Sequence, residues 1–252
     1  MPILPGASDA AQAAAPHGPV LSASPDPLER ELKFVVPPSR TAFVGAWLRS
    51  VCLPDPVHPP ARVVTVYFDT PQLELLYEKI NSDYLKTKVR VRWYERLDGS
   101  PAGEAVFVEA KHRVGSTRAK TRRTADTTAS EVAGWSLQRR EWPTLLDVLR
   151  GAGIEVPQGL APAIRLSYVR ERLTDRVEGG RLNLDTVMHV DAVNPERIRP
   201  GVTGPMPGAV VEYKGRTPDL PDHLRLLPRS GGRRASFSKY LAGYLYAART
   251  VL

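Results

Sequence analysis

The sequence predicts an α+β fold, mainly antiparallel β, and three observations carry that reading. About eight segments have strand periodicity, and few helical stretches lie between them. Most connections suit antiparallel pairing. Nearly every strand sets an apolar face against a charged one. Charged faces in water would make an ordinary sandwich or sheet. Charged faces turned inward would close the sheet into a barrel with a charged lumen and helices packed on its apolar outside.

The elements follow in chain order. Residues 1–28 are rich in Ala, Pro, Ser and Gly without periodicity, and read as a disordered tail before a single domain over 29–252. From Leu28 to Val36, Glu29, Glu31 and Lys33 alternate with Arg30, Leu32 and Phe34, which is strand period. Pro37-Pro38 ends the strand, and Ser39 is placed to cap a helix over 40–51 with Phe43, Val44, Trp47, Leu48 and Val51 as its stripe. Arg62 to Phe68 is β-branched and aromatic, hence a strand. Pro71 suits the first turn of a helix running to Ile80.

Lys86 to Arg96 is a cationic strand: Lys88, Arg90 and Arg92 share one face, with Val89, Val91 and Trp93 behind. Asp98-Gly99 turns the chain into a strand over 105–112 bearing Phe107, Glu109 and Lys111. Arg118 to Thr124 alternates again, with Lys120 and Arg122 together. A helical stretch over 130–151 breaks at Pro143 and stops at Gly151. A strand over 163–173 carries Tyr168, Arg170 and Arg172 on one face. Glu178-Gly179-Gly180 turns into a strand over 181–190 with Arg181, Asn183 and Asp185 on one face, and 209–214 is the last strand, with Glu212 and Lys214 together. Ser236 is placed to cap a helix bearing Phe237, Tyr240, Leu241, Tyr244 and Leu245.

The formal charge is +8 over 252 residues, and the first 28 hold Asp9 and Asp26 but no Lys or Arg. The remainder has 35 basic against 25 acidic residues, which favours an anionic partner without naming it. Cys52 is the lone cysteine, so neither an intrachain disulfide nor a Cys-based zinc site can form. No run of 18 apolar residues and no basic-then-apolar leader occurs, which points to a cytoplasmic protein without a membrane span. No Gly-rich phosphate loop or dinucleotide fingerprint is present, and His17, His58, His112, His189 and His223 lack zinc spacing and read as surface or tail residues.

The charged faces carry the chemistry. Arg offers forked donors and Lys a mobile point charge, so an inward ring of them makes a phosphate site. Interspersed carboxylates could hold Mg²⁺ or Mn²⁺, which bridge phosphate oxygens. For one strand, a solvated face laced with ion pairs is the simpler account; repetition over five or more strands strains it. Glu212 is equally a metal ligand or the salt-bridge partner of Lys214, and Tyr168 equally a phosphate donor or a packing residue. Ser238 and Lys239 near a helix start suit an anion.

Glu29-x-Glu31-x-Lys33 resembles the ExExK signature of the triphosphate tunnel, or CYTH, superfamily. Val66-Tyr67-Phe68-Asp69-Thr70, Lys88 to Tyr94, Glu109-Ala110-Lys111, Tyr168-Val169-Arg170, Leu184-Asp185, Val211 to Lys214 and Ser238-Lys239-Tyr240 then resemble, in order, the VTC domain of polyphosphate polymerases. The resemblance implies a closed antiparallel β-barrel tunnel. It also implies transfer of the ATP γ-phosphate to a growing polyphosphate chain, with ADP released. It assigns Lys33, Arg90, Arg92, Lys111, Arg170 and Lys239 to the reacting phosphates, with Lys120, Arg122, Tyr168, Lys214 and Ser238 as further phosphate contacts. Glu212 would hold Mn²⁺ or Mg²⁺, and in the wider superfamily Glu29 and Glu31 would also be metal ligands. Lys88 is left as support at the tunnel edge.

No SPX-like regulatory segment is visible, which fits a bacterial stand-alone enzyme. A triphosphate hydrolase and a non-catalytic polyphosphate-binding module share the same residues as alternatives. Nucleic acid is not expected as a partner, because duplex cannot enter a closed lumen, and oligomeric state is left open.

Overall fold

The computed structural model describes residues 30–115 and 117–249. The expected tail over 1–28, His17 and the expected metal ligand Glu29 lie outside these residues.

β1 (Arg30–Val36) buries Leu32, Phe34 and Val36 on one face and leaves Glu31 and Lys33 on the other. α1 (Pro38–Val51) begins one residue before the expected cap: Pro38 fills the first turn, where no amide hydrogen is needed, and Ser39 makes no cap. Its Val44, Gly45 and Leu48 are buried, whereas Phe43 faces solvent. β2 (Cys52–Pro54), which periodicity is too short to reveal, pairs with β7 (Ala161–Asp175). After β3 (Ala61–Asp69), α2 (Glu74–Ile80) starts three residues later than Pro71 suggested. The Asp69 carboxylate sets that start by accepting from the amides of Thr70, Leu75 and Leu76.

β4 (Leu85–Glu95), β5 (Ala105–Val114) and β6 (Thr117–Thr128) form a longer meander than alternation alone indicated. Gly115, at φ +57, turns β5 into β6 under the ring of Tyr84. The helix expected over 130–151 is instead α3 (Ala129–Ala133), a 3-10 turn over Trp142–Leu146 and α4 (Asp147–Arg150). β8 (Arg181–Val193), β9 (Gly204–Pro205), β10 (Ala209–Gly215), α5 (Leu226–Arg229), β11 (Arg233–Arg234) and α6 (Lys239–Ala248) complete the chain. The α6 cap is Ser238 rather than Ser236, with its hydroxyl accepting from the Leu241 amide.

The strands make one antiparallel sheet of eleven, ordered β11-β1-β10-β8-β7-β3-β4-β5-β6, with β2 and β9 as side pairings. This corrects the expected closed barrel of about eight strands. The sheet curls until Arg118 on β6 reaches Glu31 on β1 at 3.7 Å, but no ladder joins those strands. The outer edge of β1 is already taken: β11 pairs with Phe34 and Val35, and the Ala235 amide donates to the Lys33 carbonyl.

Two apolar cores lie on the convex side. One packs Val89, Val91 and Trp93 against Trp142, Leu146 and Leu149; the other packs Leu32, Phe34 and Val36 against Val44 and Leu48 of α1. Helices were expected outside only. α6 instead lies on the concave side, where Tyr240 and Ala247 pack with Tyr67, Ile164 and Leu166. Gly243 lets it approach: a Cβ there would come within 2.8 Å of Leu166. Tyr240 stacks on Tyr67 and donates to Asp69 at 2.6 Å, so the carboxylate that starts α2 also anchors α6.

Candidate functional site: a cationic cavity on the concave face

Where α6 ends at its Ser238 cap, the concave side opens into a cavity of about 410 Å³. Twelve Lys and Arg side chains line it. The carboxylates of Glu31, Asp55, Glu109, Asp185 and Glu212 lie at or beside it, so the formal charge of this set is an excess of seven positive. Strand parity delivers this: odd-face residues on each strand pack outward while every second residue turns inward.

The β4–β5–β6 wall is built on Glu109, which has no exposed surface. Arg90 meets it at 2.5 Å, Arg122 at 2.6 Å, Lys120 at 3.0 Å and Arg92 at 3.8 Å. Burial works to raise its pKa, but Arg90, Arg92, Arg122 and Lys120 overcome that and hold the carboxylate ionised well below its usual range. Arg92 also donates to Thr65, and Arg122 lies over the ring of Phe107. Lys111, two residues along β5, makes no ion pair among the described residues. Burial, then repulsion from Arg90, pushes it down to about 7.

The opposite wall has two acidic centres. Asp185, fully buried, takes a forked pair from Arg170 at 2.7 and 2.8 Å and a contact from Lys239 at 2.5 Å. Lys239 sits 4.4 Å from the centre of the Tyr168 ring. Glu31 and Glu212 share Lys33, at 2.7 and 3.8 Å, and Lys214 adds a contact to Glu212 at 3.3 Å. Both glutamates are held below their usual range: burial and their mutual repulsion oppose this, and Lys33 with its cationic neighbours prevails.

Most of the residues singled out by sequence converge here. Lys33, Arg90, Arg92, Lys111, Lys120, Arg122, Tyr168, Arg170, Glu212, Lys214, Ser238 and Lys239 all line the cavity, and Glu31 borders it through Lys33. Lys88 lines the cavity as well, in the outermost lining row of the β4–β5–β6 wall, and donates to Ser238 at 3.2 Å. Burial, then repulsion from Lys33, Lys79 and Arg90, lowers it to about 8. His58 is exposed, as expected of a surface residue, and also lines the mouth beside Asp55. Arg172, Arg181 and Asn183 also line the cavity; they share strand faces with Arg170 and Asp185 but were assigned no role from sequence. Tyr67 and Tyr94 also line the cavity; both stand within the family motifs but were assigned no role from sequence.

Glu31 and Glu212 fit a hard divalent cation: both stay ionised, both offer oxygen, and both border phosphate-binding cations. Among the described residues no cluster of three or more His, Cys, Asp or Glu could hold one, so such an ion would draw further ligands from phosphate and water. The described residues include no helix long and apolar enough to cross a membrane.

A family model described as the VTC domain matches residues 28–248. Among solved structures, the chain is similar to a candidate adenylate cyclase from Bacillus halodurans, at 15% identity over 84% of this chain and 92% of that one, with a TM-score of 0.46. A conserved hypothetical protein from Pyrococcus furiosus is similar at 11% identity over 84% of this chain and 99% of that one, with a TM-score of 0.42. No curated protein matches. With its motifs gathered on one concave face and the family match spanning nearly the whole described chain, the protein belongs to the VTC domain family.

Proposed function

We propose that this chain is a polyphosphate polymerase that transfers the γ-phosphate of ATP to the end of a polyphosphate chain. The observation that carries the reading is the surplus of seven positive charges around a cavity of about 410 Å³ that is rich in forked donors. Donor and acceptor are both polyanions, so their approach is opposed chiefly by charge. Arg90, Arg92, Arg122 and Lys111 on one wall, and Arg170 and Lys239 on the other, offset that repulsion and align the two phosphates. A terminal oxygen of the chain attacks the γ-phosphorus, the bond to the β-bridging oxygen breaks, and its electron pair leaves with ADP. The attacking oxygen is already anionic, so no side chain need remove a proton.

Glu31 and Glu212 would hold Mg²⁺ or Mn²⁺, which supplies charge neutralisation at β- and γ-phosphate oxygens when bound. Lys33 links both carboxylates. Ser238, fixed as the cap of α6, presents its hydroxyl beside Lys88, and Tyr168 forms the apolar base under Lys239.

Purified protein incubated with ATP and Mn²⁺ tests the reading. Long polyphosphate with stoichiometric ADP supports a polymerase. Orthophosphate without chains assigns hydrolysis instead. Tight binding with no ATP consumed leaves only a binding module.

A further inference from the structure

The β4–β5–β6 wall continues beyond the cavity, and its charge pattern changes as it does. In register, Arg90 faces Glu109, which faces Arg122. One step along, Lys88 faces Lys111, which faces Lys120. A further step brings Lys86 opposite Arg113 and Arg113 opposite Arg118. The first row has a carboxylate at its centre; the next two have none. Like charges directly opposite each other destabilise a sheet. The outermost row has little to offset this. Lys86 makes no ion pair among the described residues, Arg113 donates to the Gly115 carbonyl, and Arg118 reaches only Glu31 at 3.7 Å. Lys79 on α2 adds a fourth cation, whose ammonium donates to Ser236 at 2.9 Å and feels repulsion from Lys86 and Arg113. Strand parity puts this row on the same concave face as the cavity, outside its lining.

We propose that Lys86, Arg113 and Arg118, with Lys79, form a second anion site that holds the distal phosphates of a linear polyphosphate. The inference rests on reading the cavity as the site of that chain's reacting end. Two strand residues advance about 6.6–6.8 Å, so the outer row lies about 13 Å from the Arg90 row. A tripolyphosphate confined to the cavity does not bridge both; a long chain does. The outer row therefore discriminates by length and retains the product between additions.

Calorimetric titration of the full chain and of its Lys86→Gln/Arg113→Gln variant tests this, with tripolyphosphate and with polyphosphate of several tens of units as probes. The expected result is a loss of about tenfold in long-chain affinity and a shallower salt dependence, with tripolyphosphate affinity unchanged. That unchanged affinity also reports an intact cavity. Unaltered long-chain binding, or equal losses for both probes, overturns the second site and leaves the cavity reading standing. Failure of the parent protein to bind either probe overturns both.

Discussion

Three strands carry the same tripeptide pattern, a glutamate two residues before a lysine, and the structure puts them to different uses. In Glu31-Leu32-Lys33 and Glu212-Tyr213-Lys214 the lysine pairs with its own glutamate, at 2.7 and 3.3 Å. In Glu109-Ala110-Lys111 the glutamate turns to Arg90 and Arg122 on the neighbouring strands and leaves Lys111 without an ion pair. The difference is position in the sheet. β5 lies between two cationic strands, so Glu109 is captured from both sides and sealed off. β1 and β10 lie side by side, so Glu31 and Glu212 approach each other and stay partly accessible. One motif thus makes a counter-ion that organises arginines in one wall and a pair of oxygen donors in the other. A sequence motif in a sheet acquires its role from its lateral neighbours.

The largest effect that should expose this contrast is on turnover. Arg90→Ala should lower ATP consumption by about 10³–10⁵-fold, the range for a cation facing a transferring phosphoryl group. It should leave the fold intact, since Glu109 keeps Arg92, Lys120 and Arg122. Full turnover in a folded Arg90→Ala protein would sink the polymerase assignment.

Next comes stability. Glu109→Gln should lower unfolding free energy by about 3–5 kcal/mol, because it strands buried cations around a neutral amide. Glu212→Gln, with its cations nearer solvent, should cost far less in denaturant melts yet abolish the metal dependence of turnover. Equal destabilisation by the two substitutions would erase the distinction between them.

The smallest effect concerns pH. Lys111 titrates near 7 in the folded protein and at its ordinary 10.5 when unfolded, so between those values the unfolded chain binds more protons. Its contribution to stability therefore rises with pH across that window and is least below it. Polyphosphate favours the protonated form, so affinity should fall about tenfold as pH rises through about 7, with proton uptake on binding. Lys88, near 8, extends the fall. Lys111→Arg should remove the first step; titration in buffers of differing ionisation enthalpy would show whether protons are taken up.

Much of the site was legible because its signal has period two. Parity alone put Arg90 with Arg92, Arg170 with Arg172, and Glu212 with Lys214 on single faces. The family motifs then chose among them. Asp185 stood in a family motif but received no role, because its part is set by the contact with Lys239, 54 positions away. The helix boundaries failed for a similar reason. Asp69 starts α2 and anchors α6 through Tyr240, a bond between residues 171 positions apart that no local cap signal reveals.

The sequence by itself determined the strands, their two-faced character and the identity of the inward residues, since these follow from local alternation and the geometry of the extended chain. Only the tertiary structure decided that the sheet stops short of closure, because β11 and Ala235 occupy the edge of β1 that β6 would need. It also decided that α6 packs on the concave side, because Gly243 admits it against Leu166 beside the charged cavity. Closure and filling depend on which distant edges and faces meet, and that competition has no local signature in the chain.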